Sequence, residues 1–145
     1  MPGAPPGDVA VVRRLLDAVE QGDEDAFVSV LTQDVEWDDR QGWPGVRKLY
    51  RGHGGVRDWW DAFRRVGGEV LDIEVENITP ASDSRVLLCV LGTFKSSVDA
   101  ASEFKARAWY VFWLREDKVR RAQLFWDRGE AAEAAGLLGQ DAGAP

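Results

Sequence analysis

Between Ser102 and Arg128 the chain carries two long strand-like runs, Ser102–Arg115 and Lys118–Arg128, separated only by Glu116-Asp117. The first holds Phe104, Trp109, Tyr110, Val111, Phe112, Trp113 and Leu114; the second holds Val119, Ala122, Leu124, Phe125 and Trp126. Aromatic and β-branched residues at this density suit a pleated, packed surface. Apolar side chains fall on both faces of the first run, so both faces need cover. This hairpin is expected at the centre of a curved antiparallel sheet, and the rest of the chain must supply that cover.

The material for a core is present: 145 residues, 45 % of them apolar, suit one domain over residues 1–145. The net charge of −7, with no basic cluster longer than Arg64-Arg65 or Arg120-Arg121, argues against nucleic acid as a partner, which needs a concentrated positive surface. Cys89, the only cysteine, sits in the apolar run Val86–Leu91 and reads as a small hydrophobe that forms no intrachain disulfide. No stretch is long and apolar enough to span a bilayer, and the Pro/Gly-rich start lacks a charged region followed by an apolar run. A cytoplasmic protein without membrane contact is the expectation.

Before the hairpin, three helices are expected. Val9, Val12, Leu15, Leu16 and Val19 fall on one helical stripe that Asp8 can cap and Gly22 can end. Asp23 can cap a shorter helix carrying Ala26, Phe27, Val30 and Leu31. Asp34–Asp38 reads as a short strand and Asp39–Leu49 as a loop around Gly42, Pro44 and Gly45. Tyr50-Arg51-Gly52-His53-Gly54-Gly55 leads into a third helix with Val56, Trp59, Trp60 and Phe63, closed by Gly67-Gly68. Glu69–Ile78 alternates as a half-exposed strand, Pro80–Asp83 turns, and Arg85–Phe94 reads as a strand buried on both faces. Gly129–Leu138 forms a last helix, and residues 1–7 and 139–145 are expected to be disordered tails.

Runs of helices followed by runs of strands, rather than alternating units, define an α+β layer. A curled sheet around three helices leaves a hollow at its open end, and function belongs there. The patterns Gly22-Asp23, Asp34-Val35-Glu36-Trp37, Tyr50-Arg51-Gly52-His53-Gly54-Gly55-Val56-Arg57, Trp59-Trp60, Lys118-Val119 and Trp126-Asp127-Arg128 occur in an order that resembles the SnoaL-like branch of the NTF2-like, ketosteroid-isomerase-like superfamily. The resemblance runs from about Val9 to Leu137. It implies a cone-shaped antiparallel sheet wrapped around three N-terminal helices, usually dimeric through sheet faces. It implies isomerase, cyclase, dehydratase or hydrolase chemistry, or a non-catalytic binding module. It also implies that side chains work alone, without metal or organic cofactor.

An acid in an apolar hollow has its charged form desolvated and so exchanges protons near neutral pH. Asp127 resembles the late-strand aspartate that serves as acid/base in SnoaL-type cyclases, and by alternation it shares a face with Phe125 and Gln123; it also reads as a partner of Arg128 or a cap of the last helix. Asp39, five residues after Asp34, is similar in place to the ketosteroid isomerase base; its other reading is a solvated loop carboxylate. His53, the only histidine, is the other group that titrates near neutrality, or else a cap of the third helix or a neighbour of Tyr50. One His and one Cys far apart give no metal cluster. Trp37, Trp60 and Trp109, with Tyr50 and Phe125, are the expected walls around a flat apolar ligand, and Arg107 shares the Trp109 face by alternation. The isomerase pattern has a tyrosine in its first helix where this chain offers Leu15 and Leu16, and an acid on the penultimate strand where it offers Trp109-Tyr110. The aspartate–arginine–aspartate set of the epoxide hydrolases is also missing, since no aspartate neighbours Arg107 on its strand. Doubly apolar strands predict a homodimer.

Overall fold

The N-terminal helices form where local chemistry stops and starts them. In the computed structural model, which describes residues 6–42, 46–67, 69–81, 83–95 and 102–137, α1 (Pro6–Gln21) buries Val11, Val12, Leu15 and Ala18. It ends where Gly22 takes φ +68° and the Asp23 amide bonds back to the Ala18 carbonyl at 2.9 Å, a left-handed closure that glycine accepts without steric cost. The Asp23 carboxylate then accepts from the Ala26 amide at 3.0 Å and starts α2 (Glu24–Ser29). α3 (Gly52–Gly67) buries Val56, Trp59, Trp60 and Ala62. Pro6 and Gly7, expected in a disordered tail, form the first residues of α1. The remaining tail residues and Trp43 lie outside the described residues.

Six strands follow: β1 (Leu31–Asp38), β2 (Leu49–Arg51), β3 (Glu69–Ala81), β4 (Arg85–Lys95), β5 (Glu103–Arg115) and β6 (Lys118–Phe125). They form one curved, open sheet in the order β2-β1-β6-β5-β4-β3. The β3–β6 meander is antiparallel, as expected, and so is the β1–β2 pair, but β1 runs parallel to β6. Parallel neighbours need a long crossover, and here α3 with the first three strands of the meander provides it. β2 is a strand where a loop was expected. β3 runs through Pro80 to Ala81, which an edge strand tolerates because one side of it needs no donor. Register shifts in β3, and between Trp113 and Leu114 in β5, bend the strands.

The two faces of the sheet carry different cores. On the concave face, Val35 and Trp37 of β1, Phe112 and Leu114 of β5 and Ala122 of β6 join Phe27 and the α1 and α3 stripes. On the convex face, Val111 and Phe125 pack with Trp109, Trp113 and Leu87 beneath α4 (Arg128–Ala134), which contributes Ala131 and Ala134. This second layer is why both faces of β5 are apolar. Cys89 is buried, as its setting predicts. Among the described residues no helix is long and apolar enough to cross a membrane.

Candidate functional site

The concave core is not solid. A cavity of about 90 Å³ lies between α1, α3 and the inner face of β4–β6, several times the space one water needs. Its walls are Phe27, Trp37, Trp59, Phe63, Phe112 and Tyr110 on the aromatic side and Leu15, Leu16, Val19, Leu88, Val90 and Leu124 on the aliphatic side, with Trp126 near its edge. The rings are interlocked: Trp37 and Trp59 have centroids 4.8 Å apart, Trp59 stacks on Phe63 at 5.2 Å, and Tyr110 stacks on Phe112 at 5.8 Å. Tyr110 provides the only side-chain oxygen among the lining residues.

Behind this wall stands Asp39. It is the first residue after β1, and its amide bonds to the Lys48 carbonyl at 3.0 Å, so the β1–β2 pairing holds it in line. Its side chain turns inward and is 1 % exposed. Oδ2 accepts from the Trp59 indole N–H at 2.9 Å, while Oδ1 is buried with no hydrogen-bond partner among the described residues. Burial, with the charge of Asp38 beside it, pushes Asp39 up from 3.8 to about 6, against the pull of the Trp59 bond. The chain turns back over the carboxylate at Gly42, whose amide bonds to the Asp39 carbonyl at 2.7 Å; a Cβ at Gly42 would stand 2.7 Å from the Asp39 carboxyl carbon. Only glycine fits there.

Asp38, one residue earlier, has the opposite fate. Burial works against its charge, yet Arg40 at 2.7 Å and Arg121 at 2.9 Å hold it below the usual carboxylate value. Strand alternation sends one aspartate to paired charges on the convex side and the other into the apolar side. Neighbouring carboxylates thus acquire separate roles, the arrangement by which acid/base sites keep one acid ionised and another poised near neutrality.

The Tyr110 hydroxyl has no hydrogen-bond partner among the described residues, and the residue lines the cavity. Deep burial raises its pKa well above the ordinary tyrosine value, and the charge of Asp39 adds to this. Tyr110 is therefore a neutral O–H donor at neutral pH.

The expected site residues scatter. Trp37 lines the cavity. Trp60 is buried in the same core against Phe27, at 5.0 Å, without lining the cavity. Tyr50 is buried and gives its hydroxyl to the Val46 carbonyl at 2.9 Å. His53 lies under the start of α3, with Nε2 bonded to the Leu31 carbonyl at 3.1 Å, a structural contact that leaves it outside the cavity wall. Asp127 is exposed and accepts from the Glu130 amide at 2.8 Å as the cap of α4. Trp109 and Phe125 belong to the convex core under α4. Arg107 is exposed on the convex side and paired with Glu76 at 2.9 Å. The alternation that groups Arg107 with Trp109 holds, and that face points away from the cavity; β6 ends at Phe125, so Asp127 lies beyond the strand. Trp59, Phe27 and Phe112 were not singled out as ligand contacts, although Trp59 and Phe63 one helical turn apart carried a signal.

The site and fold together define a small α+β protein with an aromatic pocket and a buried acid. Residues 12–122 match the model of the SnoaL-like domain, and the chain belongs to that family. Solved structures of the NTF2-like fold are similar over nearly the whole chain. An NTF2-like protein from Burkholderia xenovorans is 20 % identical, with 89 % of this chain and 95 % of that one covered and a TM-score of 0.66. TerC co-crystallised with polyporic acid is 16 % identical, covering 90 % and 98 %, at a TM-score of 0.71. A candidate polyketide cyclase from Sinorhizobium meliloti is 16 % identical, covering 80 % and 94 %, at 0.63. At these identities the likeness is one of fold. No curated protein matches the chain in sequence.

Proposed function

We propose that the protein is a small enzyme that moves protons on an apolar ring compound, with Asp39 as its acid/base. The carrying observation is the buried Asp39 carboxylate with one unpartnered oxygen, poised at about 6 and bonded to a tryptophan of the cavity wall. A carboxylate with this value is ionised at pH 7 and more basic than a solvated one, which suits abstraction of a weakly acidic C–H. The step fits a carbon next to a carbonyl: Asp39 takes the proton, the electron pair moves into the enolate, and the protonated acid returns the proton at the same or another carbon. Isomerisation, dehydration and aldol-type ring closure all begin this way. The fold likeness to a candidate polyketide cyclase favours a polyketide-like substrate.

A second reading, a non-catalytic ligand carrier, is favoured by one feature: Asp39 stands behind Trp59 rather than in the wall itself. Deuterium exchange separates the two. The protein is incubated with 1-indanone in D₂O, and loss of the C2 proton signal is followed by NMR across pH 4.5–8. An enzyme accelerates exchange with an apparent midpoint near 6, and Asp39→Asn abolishes the acceleration. Exchange equal to the buffer rate, or unchanged in Asp39→Asn, refutes the assignment of Asp39.

A further inference from the structure

The cavity has one polar feature that the proton-transfer reading does not use. Tyr110 lines the cavity and carries the only side-chain oxygen among the described residues of its wall, and its hydroxyl has no partner among the described residues. The remaining polar hydrogens nearby are mostly committed. The Trp59 N–H bonds to Asp39, and the Trp126 N–H bonds to the Gln41 carbonyl. The ring of Tyr110 is itself fixed, stacked on Phe112 at 5.8 Å and tilted against Trp37 at 6.1 Å. A rigid donor in an apolar wall discriminates by chemistry. A ligand without an acceptor leaves the O–H unsatisfied, while a ligand with one well-placed oxygen satisfies it.

We infer that Tyr110 selects the ligand: the cavity takes a neutral, planar, one- or two-ring molecule bearing a single hydrogen-bond acceptor oxygen, a ketone or aryl ether, bound to the Tyr110 hydroxyl. The flat shape follows from the ring surfaces of Trp37, Trp59, Phe27 and Tyr110, which offer stacking and edge contacts. The neutrality follows from the wall, which holds no charged side chain to pair with an ionic ligand. This deepens the reading of the same pocket as a substrate site, but concerns binding and not the proton step.

The test uses two probes of nearly equal shape, indane and 1-indanone, which differ by one carbonyl. Binding is read by quenching of tryptophan fluorescence in the wild type, Tyr110→Phe and Asp39→Asn. The wild type is expected to prefer 1-indanone, and Tyr110→Phe to lower the ratio of the two affinities about five-fold, the scale of one hydrogen bond. Asp39→Asn keeps the preference, so binding selectivity survives even if the exchange assay shows no catalysis. The infrared carbonyl stretch of 1-indanone bound to the wild type moves to lower frequency, a reading that needs no variant to fold. Three results overturn the inference. One is an unshifted carbonyl band. Another is an affinity ratio unchanged in Tyr110→Phe, which would hand the anchoring to the Trp37 N–H, or one lost in Asp39→Asn, which would hand it to the acid. The third is failure of the wild type to bind either probe.

Discussion

Replacing Asp39 by asparagine should shift the balance of stability toward the variant, relative to wild type, as the pH rises, and the size of the effect follows from the structure. Asp39 shifts upward from 3.8 to about 6 because burial disfavours its charge. The unfolded chain ionises this group near pH 4, whereas the folded chain holds the proton until about pH 6. Between those values the unfolded state binds fewer protons, so the wild type loses stability as pH rises and levels off above pH 6–7. At 1.36 kcal/mol per pKa unit the loss from Asp39 is about 3 kcal/mol. Asparagine does not titrate and can still accept the Trp59 N–H bond. It does bury an amide in place of the unpartnered oxygen, at a cost of about 1–3 kcal/mol that does not depend on pH. The informative quantity is therefore the change with pH. Urea denaturation of both proteins, followed by tryptophan fluorescence, should show the stability of Asp39→Asn relative to wild type growing by about 2 kcal/mol from pH 4 to pH 8. A difference that is flat within about 0.5 kcal/mol would refute the reasoning, because a carboxylate that titrates normally gives no such change.

Trp59→Phe removes the one hydrogen bond that restrains Asp39, so the midpoint of the exchange profile should move above 6; a midpoint that stays or falls would mean that the indole does not govern this acid. Gly42→Ala places a methyl group 2.7 Å from the Asp39 carboxyl carbon, and thermal unfolding should show a loss of about 1–3 kcal/mol together with impaired exchange. Unaltered stability would show that the turn over Asp39 yields freely. Asp127→Ala removes the cap of α4 and should cost about 1 kcal/mol while exchange continues at the wild-type rate. Lost exchange with an unchanged melting temperature would instead place Asp127 in the chemistry.

Much of the architecture was legible because local chemistry decides it. Gly22 and Asp23 mark a helix end and a helix start with backbone requirements that other residues meet poorly. The strands of the meander are long and strongly patterned. The site was harder to read because alternation gives two faces without saying which is inside. In β5, Trp109, Val111 and Trp113 make as apolar a stripe as Ala108, Tyr110 and Phe112, since α4 covers the former and the helices cover the latter. Choosing the Trp109 face carried Phe125, Arg107 and Asp127 with it. Asp39 was obscured for another reason. β2 has only three residues, too few to show alternation, yet its pairing with β1 is what turns Asp39 from a loop residue into one held at a strand end.

The parallel seam between β1 and β6 has a temporal consequence. Asp38, the residue before the acid, lies opposite Gln123, so the strand that leads to the acid is flanked by residues made late in synthesis. The meander β3–β6 closes through short connections and can assemble early, whereas the seam joins segments far apart in the chain and must close a large loop. Until that loop closes, β1 has only β2 beside it in the sheet, so the seam is the pairing that loop-closure entropy opposes most.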